Sequence, residues 1–236
     1  MASFQSIPSS VPSLRFADRR RHLALSLPRW ATDCLRRADP SIPRNRPLVL
    51  WEKIKGGMRL SGLDALASRA GLSVGQNLSD ARALVPGLLV FEHDPEFTAH
   101  VFSEFADWHS NASPIVAVHD ALTPYGDLML DITGVAHLFG GEAQMLDTLT
   151  GRLRALGYTT HGAIADTVGA AWAFAHFDPG RVVPESELEA ALADLPVNAL
   201  RLTEAQVSNA LPHLRAVMQR RMHVCNQCLL PTSVIL

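Results

Sequence analysis

The chain has 236 residues, 47% of them hydrophobic, enough for one large domain or two small ones with a substantial core. Its 21 Lys and Arg are balanced by 23 Asp and Glu, and the formal net charge of −2 argues against a protein that holds nucleic acid by charge alone. A local basic patch is still compatible with that balance. No apolar run approaches the roughly 18 residues of a membrane span, so we expect a soluble, cytoplasmic protein with no membrane partner.

The three cysteines, Cys34, Cys225 and Cys228, are too few and too odd in number for a disulfide framework, which favours a reducing compartment. Cys225 and Cys228 form one CxxC, with His223 close by. A structural zinc site normally needs a second pair of ligands at metal spacing. Zinc binding is therefore the less favoured interpretation of this motif.

The first part of the chain begins with a segment rich in Ser, Pro and Arg at 1–20, which predicts a disordered leader. The apolar stretch at 23–27 is shorter than the ~7–15 residues of a signal-peptide core. Residues 22–27 instead predict a short buried strand, followed by helical turns in RWATDCLRRA. Further along, 46–53 and LLVFEHD predict strands, and the segment 61–87 between them predicts two short helices.

The middle of the chain predicts a repeating arrangement of helices and strands. In order, the apolar periods predict a helix, two strands joined by a longish loop, a second helix and a strand, at 95–108, 115–119, 126–132, 141–156 and 159–165. An Ala-rich helix follows. With the first strand placed in front, the order is β-α-β-β-α-β, an α+β fold of the ferredoxin-like type. The block 31–92 then becomes a small helical insertion.

Several stretches together resemble the Y-family DNA polymerases, and in particular the ImuB-type branch, the polymerase-like subunit of bacterial mutagenesis cassettes. They are LPRWATDCLRR, SGLDALASRAGLSVGQNLSDARALVP, LMLDITGVAHLFGGE and GAIADTVGAAWAFAHF. The resemblance implies a palm from 22–30 and 93–180, a fingers insertion at 31–92, and an incomplete thumb with an irregular tail at 181–236. The C-terminal residues depart from the thumb pattern, so we expect a truncated or frameshifted gene product.

The same resemblance implies a role in DNA repair, through translesion synthesis and damage-induced mutagenesis in the SOS response. The implied partners are damaged DNA, the sliding clamp and an error-prone replicative-type polymerase. Regions mostly absent from this sequence would provide the contacts with the clamp and the polymerase.

Active members of the family hold two Mg²⁺ ions between paired carboxylates. The resemblance places Leu25 and Leu27 at the first ligand pair, to within one residue. The second ligand motif corresponds to PYGDLMLD, where Gly126 replaces one carboxylate and Asp127 is the survivor. Asp131 corresponds to an aspartate that is not a ligand, with an expected role in hydrogen bonding at the strand end. We interpret Asp127 as a vestigial metal ligand and expect no catalytic residue and no cofactor, with Mg²⁺ bound only if the protein is active.

The cations that would neutralise a triphosphate are also missing by register. Ala65 and Ser68 stand where active members carry Tyr and Arg, with Arg69 adjacent, and Trp172 stands near the palm lysine position. A triphosphate would be poorly neutralised there. No nucleotide-binding residue is predicted, DNA-binding residues stay unassigned, and Asp33 lies too far along the chain to replace a ligand.

Other chemically capable residues have simpler interpretations. His119, His137 and His161 stand at strand ends or in loops and are expected to be surface or hydrogen-bonded core residues. FGGE lacks the Lys-Ser/Thr of a P-loop and predicts a tight loop entering a helix. The triplet RRR at 19–21 predicts a solvated basic patch, with a contact to DNA phosphate as the alternative.

The tryptophans lack the basic neighbours of a base-stacking platform and are expected to be packing residues. They are Trp30, Trp51, Trp108 and Trp172.

Three functional hypotheses follow from these observations. The first is a non-catalytic adaptor that links DNA, the clamp and a catalytic polymerase. The second is an active error-prone translesion polymerase with displaced ligands, and the third is a truncated, inactive fragment. Primer extension separates the second from the others, and the reading frame downstream of Leu236 separates the first from the third.

Overall fold

The computed structural model describes residues 20–119 and 126–200. The strands are β1 His22–Leu27, β2 Leu48–Ile54, β3 Gly57–Leu63, β4 Leu89–Glu92, β5 Ile115–His119, β6 Gly126–Asp131 and β7 His161–Ala165. The α-helices are α1 Trp30–Ala38, α2 Ala65–Arg69, α3 Leu78–Leu84, α4 Pro95–Trp108, α5 Glu142–Ala155, α6 Val168–Phe177 and α7 Glu185–Ala193. The predicted leader before Arg20, the hairpin loop at 120–125 and the tail after Leu200 lie outside the described residues.

A four-stranded antiparallel sheet, the palm sheet, has the strand order β5-β6-β1-β7. With α4 between β1 and β5, and α5 between β6 and β7, this is the ferredoxin-like arrangement. The predicted α+β fold class is confirmed. The last strand begins at His161 rather than at Thr159, because the backbone N–H of Thr159 donates to the Asp33 carboxylate instead of to a neighbouring strand.

Both faces of the palm sheet are covered, which explains why β1 is a continuous apolar run. Leu23, Leu25 and Leu27 pack with α4 and α5 on one face, whereas Ala24 packs with α6 on the other. The helix predicted at 141–156 is α5, and its apolar face is buried up to Leu153. Leu156, the last residue of the predicted range, follows the helix end and is 45% exposed.

The block between β1 and α4 contains its own three-stranded sheet, in the order β3-β2-β4. Strand β3 runs antiparallel to β2, and β4 runs parallel to it. The predicted helix starting at Ser61 is wrong at its beginning, since 61–63 belong to β3. Asp64 ends that strand and caps α2, because its carboxylate accepts a hydrogen bond of 2.8 Å from the Ala67 N–H.

The segment after the palm sheet forms α7 and a 3-10 turn at Val197–Leu200. In the part of the chain that is described, every helix is too short or too polar to cross a membrane. The predicted division into domains stays a prediction. It assigns 22–30 and 93–180 to the palm, 31–92 to the fingers, and 181–236 to an incomplete thumb with its tail.

Candidate active site

Asp127, the predicted vestigial ligand, lies fully buried on β6, directly opposite Ser26 of β1. Its carboxylate is held by two side chains of α6. The Nε1–H of Trp172 donates to Oδ2 at 2.6 Å, and Nε2 of His176 lies 2.9 Å from Oδ1 and 3.1 Å from Oδ2. Both carboxylate oxygens therefore already have protein partners.

The sequence of α6 explains how these two partners reach the same carboxylate. Thr167 begins the helix by accepting a hydrogen bond of 3.1 Å from the Ala170 N–H, and Trp172 and His176 then lie four residues apart on one face. Their rings are 4.2 Å apart between centroids. Small alanines elsewhere on the helix let it pack closely on β1 and β7.

The second predicted carboxylate position, Gly126, is filled by a neighbouring ring. A Cβ atom at Gly126 would lie 2.4 Å from Cε2 of Phe102, which α4 supplies to the palm core. Neither an Asp nor an Ala can enter this position unless Phe102 moves.

The first predicted ligand positions lie on the wrong face of the sheet. Leu27 pairs with Gly126 and Leu25 pairs with Leu128, so both leucines face α4 and α5, whereas Asp127 faces α6. Both leucine side chains are fully buried. The structure does not bring them together with Asp127.

These residues do not fit a two-metal centre. Mg²⁺ requires several hard oxygen ligands, and the four predicted positions supply one carboxylate with both oxygens engaged. Within 20–119 and 126–200, no group of three or more His, Cys, Asp or Glu side chains is arranged to hold a metal ion. The CxxC at Cys225 and Cys228 lies outside those ranges.

The other acidic candidates have structural partners. Asp131 accepts a hydrogen bond of 3.0 Å from the Thr133 N–H at the end of β6, the role expected for it. Asp33 accepts one of 2.7 Å from the Thr159 N–H. Burial raises the pKa of Asp33, against the opposing effect of that hydrogen bond.

The predicted triphosphate positions lie on the short helix α2. Ala65 and Ser68 carry no charge there, and Arg69 is exposed in the last turn. Trp172, near the expected lysine, uses its indole N–H on Asp127 instead. The packing role predicted for Trp172 is correct but incomplete.

The histidine candidates are dispersed. His161 begins β7 and is partly buried, and burial lowers its pKa, with smaller effects from Arg29 and Arg154. His137 is exposed in the 3-10 helix Ala136–Phe139. The side chain of His119 lies outside what is described. His176, which sequence reasoning missed, is the histidine that contacts Asp127.

The expectation that the triplet at 19–21 forms a solvated patch is wrong for Arg21. Its guanidinium donates two hydrogen bonds to Glu142, of 2.8 and 2.6 Å, and one of 2.5 Å to Asp166. Glu142 is the last residue of FGGE, so this loop ends in an ion pair that ties β1 to the start of α5.

The other tryptophans differ in burial. Trp30 is buried, and its Nε1–H donates to the Thr98 carbonyl at 2.9 Å. Trp51 is partly buried and packs against the core of the insertion. Trp108 packs only in part, since it is 46% exposed and its ring lies 4.9 Å from that of His109 between centroids.

A comparison with known protein families covers the segment that holds this site. The model of the impB/mucB/samB family matches residues 27–176, more than half of the chain, and the match includes β6 and α6. The chain belongs to the impB/mucB/samB family. The predicted likeness to Y-family polymerases is confirmed.

Relatives of this family member include Protein ImuB of Caulobacter vibrioides, from strains NA1000 and CB15. Each is 47% identical over 147 residues, which is 61% of this chain and 31% of the relative. The chain thus spans about a third of the length of the curated relatives it matches.

Solved structures confirm the fold of this family member. The insertion ternary complex of Dbh DNA polymerase matches with a TM-score of 0.65 at 13% identity, over 87% of this chain and 57% of the other. DinB from Sulfolobus solfataricus matches with a TM-score of 0.62 at 12% identity, over the same shares.

Proposed function

We propose that this chain is part of a non-catalytic, Y-family-like protein of damage-induced mutagenesis. The observation that carries the proposal is the closed state of Asp127, whose two carboxylate oxygens are bound by Trp172 and His176. The packing of Phe102 against Gly126 supports it, because the second carboxylate position has no free volume. The 47% identity to Protein ImuB over 147 residues supports the likeness to a protein of this type.

In this role the protein acts as an adaptor in translesion synthesis and the SOS response. Its partners are damaged DNA, the sliding clamp and an error-prone replicative-type polymerase, with which it works in the cytoplasm. The chain itself contributes a palm sheet that binds neither Mg²⁺ nor a deoxynucleotide at a saturable site.

The first experiment is primer extension with the purified chain in Mg²⁺ or Mn²⁺. The proposal expects no extension above a no-enzyme control. Incorporation that disappears in the Asp127→Asn variant would favour the alternative of an active translesion polymerase, because Asn keeps one oxygen acceptor and removes the charge that binds a metal.

The second experiment tests in cells whether this segment can serve in the adaptor role. Residues 27–176 would replace the matching segment of Caulobacter vibrioides ImuB, and damage-induced mutation frequency would be measured in a strain lacking ImuB. The proposal expects the chimera, and the same chimera with Asp127→Asn, to restore mutagenesis. A folded chimera that restores nothing would contradict the adaptor role of this segment.

A further inference from the structure

Exposed arginines surround the loop at 156–160, which connects α5 to β7. Arg37, at the end of α1, places its guanidinium carbon 4.8 Å from the centre of the Tyr158 ring and donates to the Leu156 carbonyl. Arg154, in the last turn of α5, lies 3.3 Å from the Thr160 carbonyl through Nη2. Two chain segments distant in sequence thus bring cations to one loop.

A third arginine comes from the segment between α1 and β2. A Cβ atom at Gly157 would lie 3.5 Å from Nη2 of Arg44, so this guanidinium rests on the loop backbone. Gly157 has a φ of +92°, a left-handed conformation that makes a tight turn beneath the Arg44 guanidinium. The guanidinium groups of Arg37, Arg44 and Arg154 therefore all lie against the loop at 156–160, and we name them together the arginine surface.

Carboxylates do not neutralise the arginine surface. In the described ranges, none of its three arginines forms an ion pair, although Arg21, Arg36 and Arg181 elsewhere do. Asp33 beneath the loop is buried and accepts from the Thr159 N–H. The exposed carboxylate of Asp39, at the end of α1, accepts from Ser41. Other acidic side chains gather elsewhere, for example at Glu92, Asp94 and Glu96 before and within the start of α4. A net charge of −2 does not reveal that acidic and basic side chains lie in different places.

Helix stabilisation accounts for part of the arginine surface. Cations near a helix C-terminus interact favourably with its dipole, and Arg37 also binds a carbonyl at the end of α5. This explanation does not cover Arg44, which comes from another segment and makes no hydrogen bond within the described part of the chain. Arg44 is an exposed guanidinium with its donors available.

We propose that Arg37, Arg44 and Arg154 bind phosphate groups of a nucleic-acid backbone. Guanidinium groups match phosphate oxygens with paired donors, and three of them on one surface give a polyanion site that carries no base specificity. Nucleic acid is the polyanion favoured because the inference rests on the proposed role in DNA damage tolerance. The surface lies on the α5 side of the palm sheet, whereas Asp127 faces α6.

The test measures binding of the full chain to a short fluorescein-labelled DNA duplex by anisotropy, over a series of salt concentrations. Each lost phosphate contact should reduce the slope of log K against log salt by about 0.9. The variant Arg44→Gln should reduce it by about one unit and the triple variant, with Arg37→Gln and Arg154→Gln added, by about 2–3 units.

The matched control is a triple variant that removes three positive charges from exposed arginines of the insertion. Its substitutions are Arg59→Gln, Arg69→Gln and Arg82→Gln. The inference expects the control to keep a slope close to that of the unmodified chain. The single variant at Arg44 guards against misfolding, since it disturbs no hydrogen bond within the described residues, unlike changes at Arg37 and Arg154.

Equal slopes for the arginine variants and the control would overturn the inference. So would binding to vesicles of anionic phospholipid with no binding to DNA, or no DNA binding by the unmodified chain at low salt. None of these outcomes decides the proposed function, because the mutation frequency of the ImuB chimera is measured independently of this surface.

Discussion

The indole Nε1–H of Trp172 donates a 2.6 Å hydrogen bond to Oδ2 of Asp127, and the two residues are 45 positions apart in the sequence. This bond couples α6 to the central strands of the palm sheet. The carboxylate of Asp127 is a structural acceptor that links a strand to a helix. Its removal should therefore affect stability.

The variant Asp127→Ala should lower the free energy of unfolding by about 3–5 kcal/mol, because it leaves the Trp172 N–H and the His176 ring without their buried acceptor. Trp172→Phe removes one donor and should cost about 1–3 kcal/mol. Urea unfolding measures both. The exposed Asp147 on α5 gives the control, since Asp147→Ala should change stability by less than about 0.5 kcal/mol. A cost at Asp127 no larger than at Asp147 would contradict the structural role.

The variant Gly126→Ala should destabilise the chain by about 1–3 kcal/mol, because its Cβ would press on the Phe102 ring in a filled core. Gly151 on α5 has no atom near its Cβ position, so Gly151→Ala should be neutral or stabilise by up to about 1 kcal/mol. The comparison of midpoints in urea uses the same chemical change at both sites. Equal effects at the two glycines would show that Phe102 does not fill the predicted ligand position at Gly126.

Much of the palm sheet could be predicted from the sequence because its signals are local. Helical spacing marks α4, and its start is fixed by Asp94, whose carboxylate accepts from the Phe97 N–H at 2.9 Å. Strand β1 is short and continuously apolar, as a strand covered on both faces must be. Strand β3 was missed because its two glycines and its mixed pattern do not alternate clearly.

The condition of the candidate site could be predicted only in part. Missing carboxylates at Leu25 and Gly126 are visible by register. The spacing of Trp172 and His176 predicts that they share a face of α6, but not that this face meets Asp127, because that depends on how α6 packs across the sheet. The ion pair of Arg21 with Glu142 was hidden for the same reason, since the two residues are 121 positions apart.

A pH effect on stability is expected from His109 at the end of α4. The ring is 1% exposed, Nδ1 lies 2.8 Å from the Phe105 carbonyl, and burial lowers its pKa from the ordinary 6.5, against the opposing effect of that hydrogen bond. Between the lowered pKa and 6.5 the unfolded chain binds the extra proton, so the free energy of unfolding falls as the pH drops below 6.5.

Stability measured in urea from pH 7 downwards should therefore depend less on pH in His109→Gln than in the unmodified chain. His161→Gln is the comparison, because the pKa of that less buried ring is also lowered and its removal should have a smaller effect. An identical pH dependence in His109→Gln and the unmodified chain would contradict the prediction.

Cys34 should resist alkylation while the chain is folded. The thiol is 3% exposed on α1, and burial, together with the neighbouring Asp33, raises its pKa to about 12, against a smaller opposing effect of Arg37. The thiolate is the reactive form, so at pH 8 only about 10⁻⁴ of the folded population would be reactive even without the steric block.

Iodoacetamide labelling read by peptide mass mapping should show Cys34 unmodified in buffer and modified in urea. Local opening exposes the thiol before global unfolding does. If α1 and α6 open independently, the labelling rate of Cys34 in Trp172→Phe should match that of the unmodified chain. If the two helices open together, the rate should rise with the loss of global stability. Rapid labelling of Cys34 in the folded, unmodified chain would contradict the burial of this thiol.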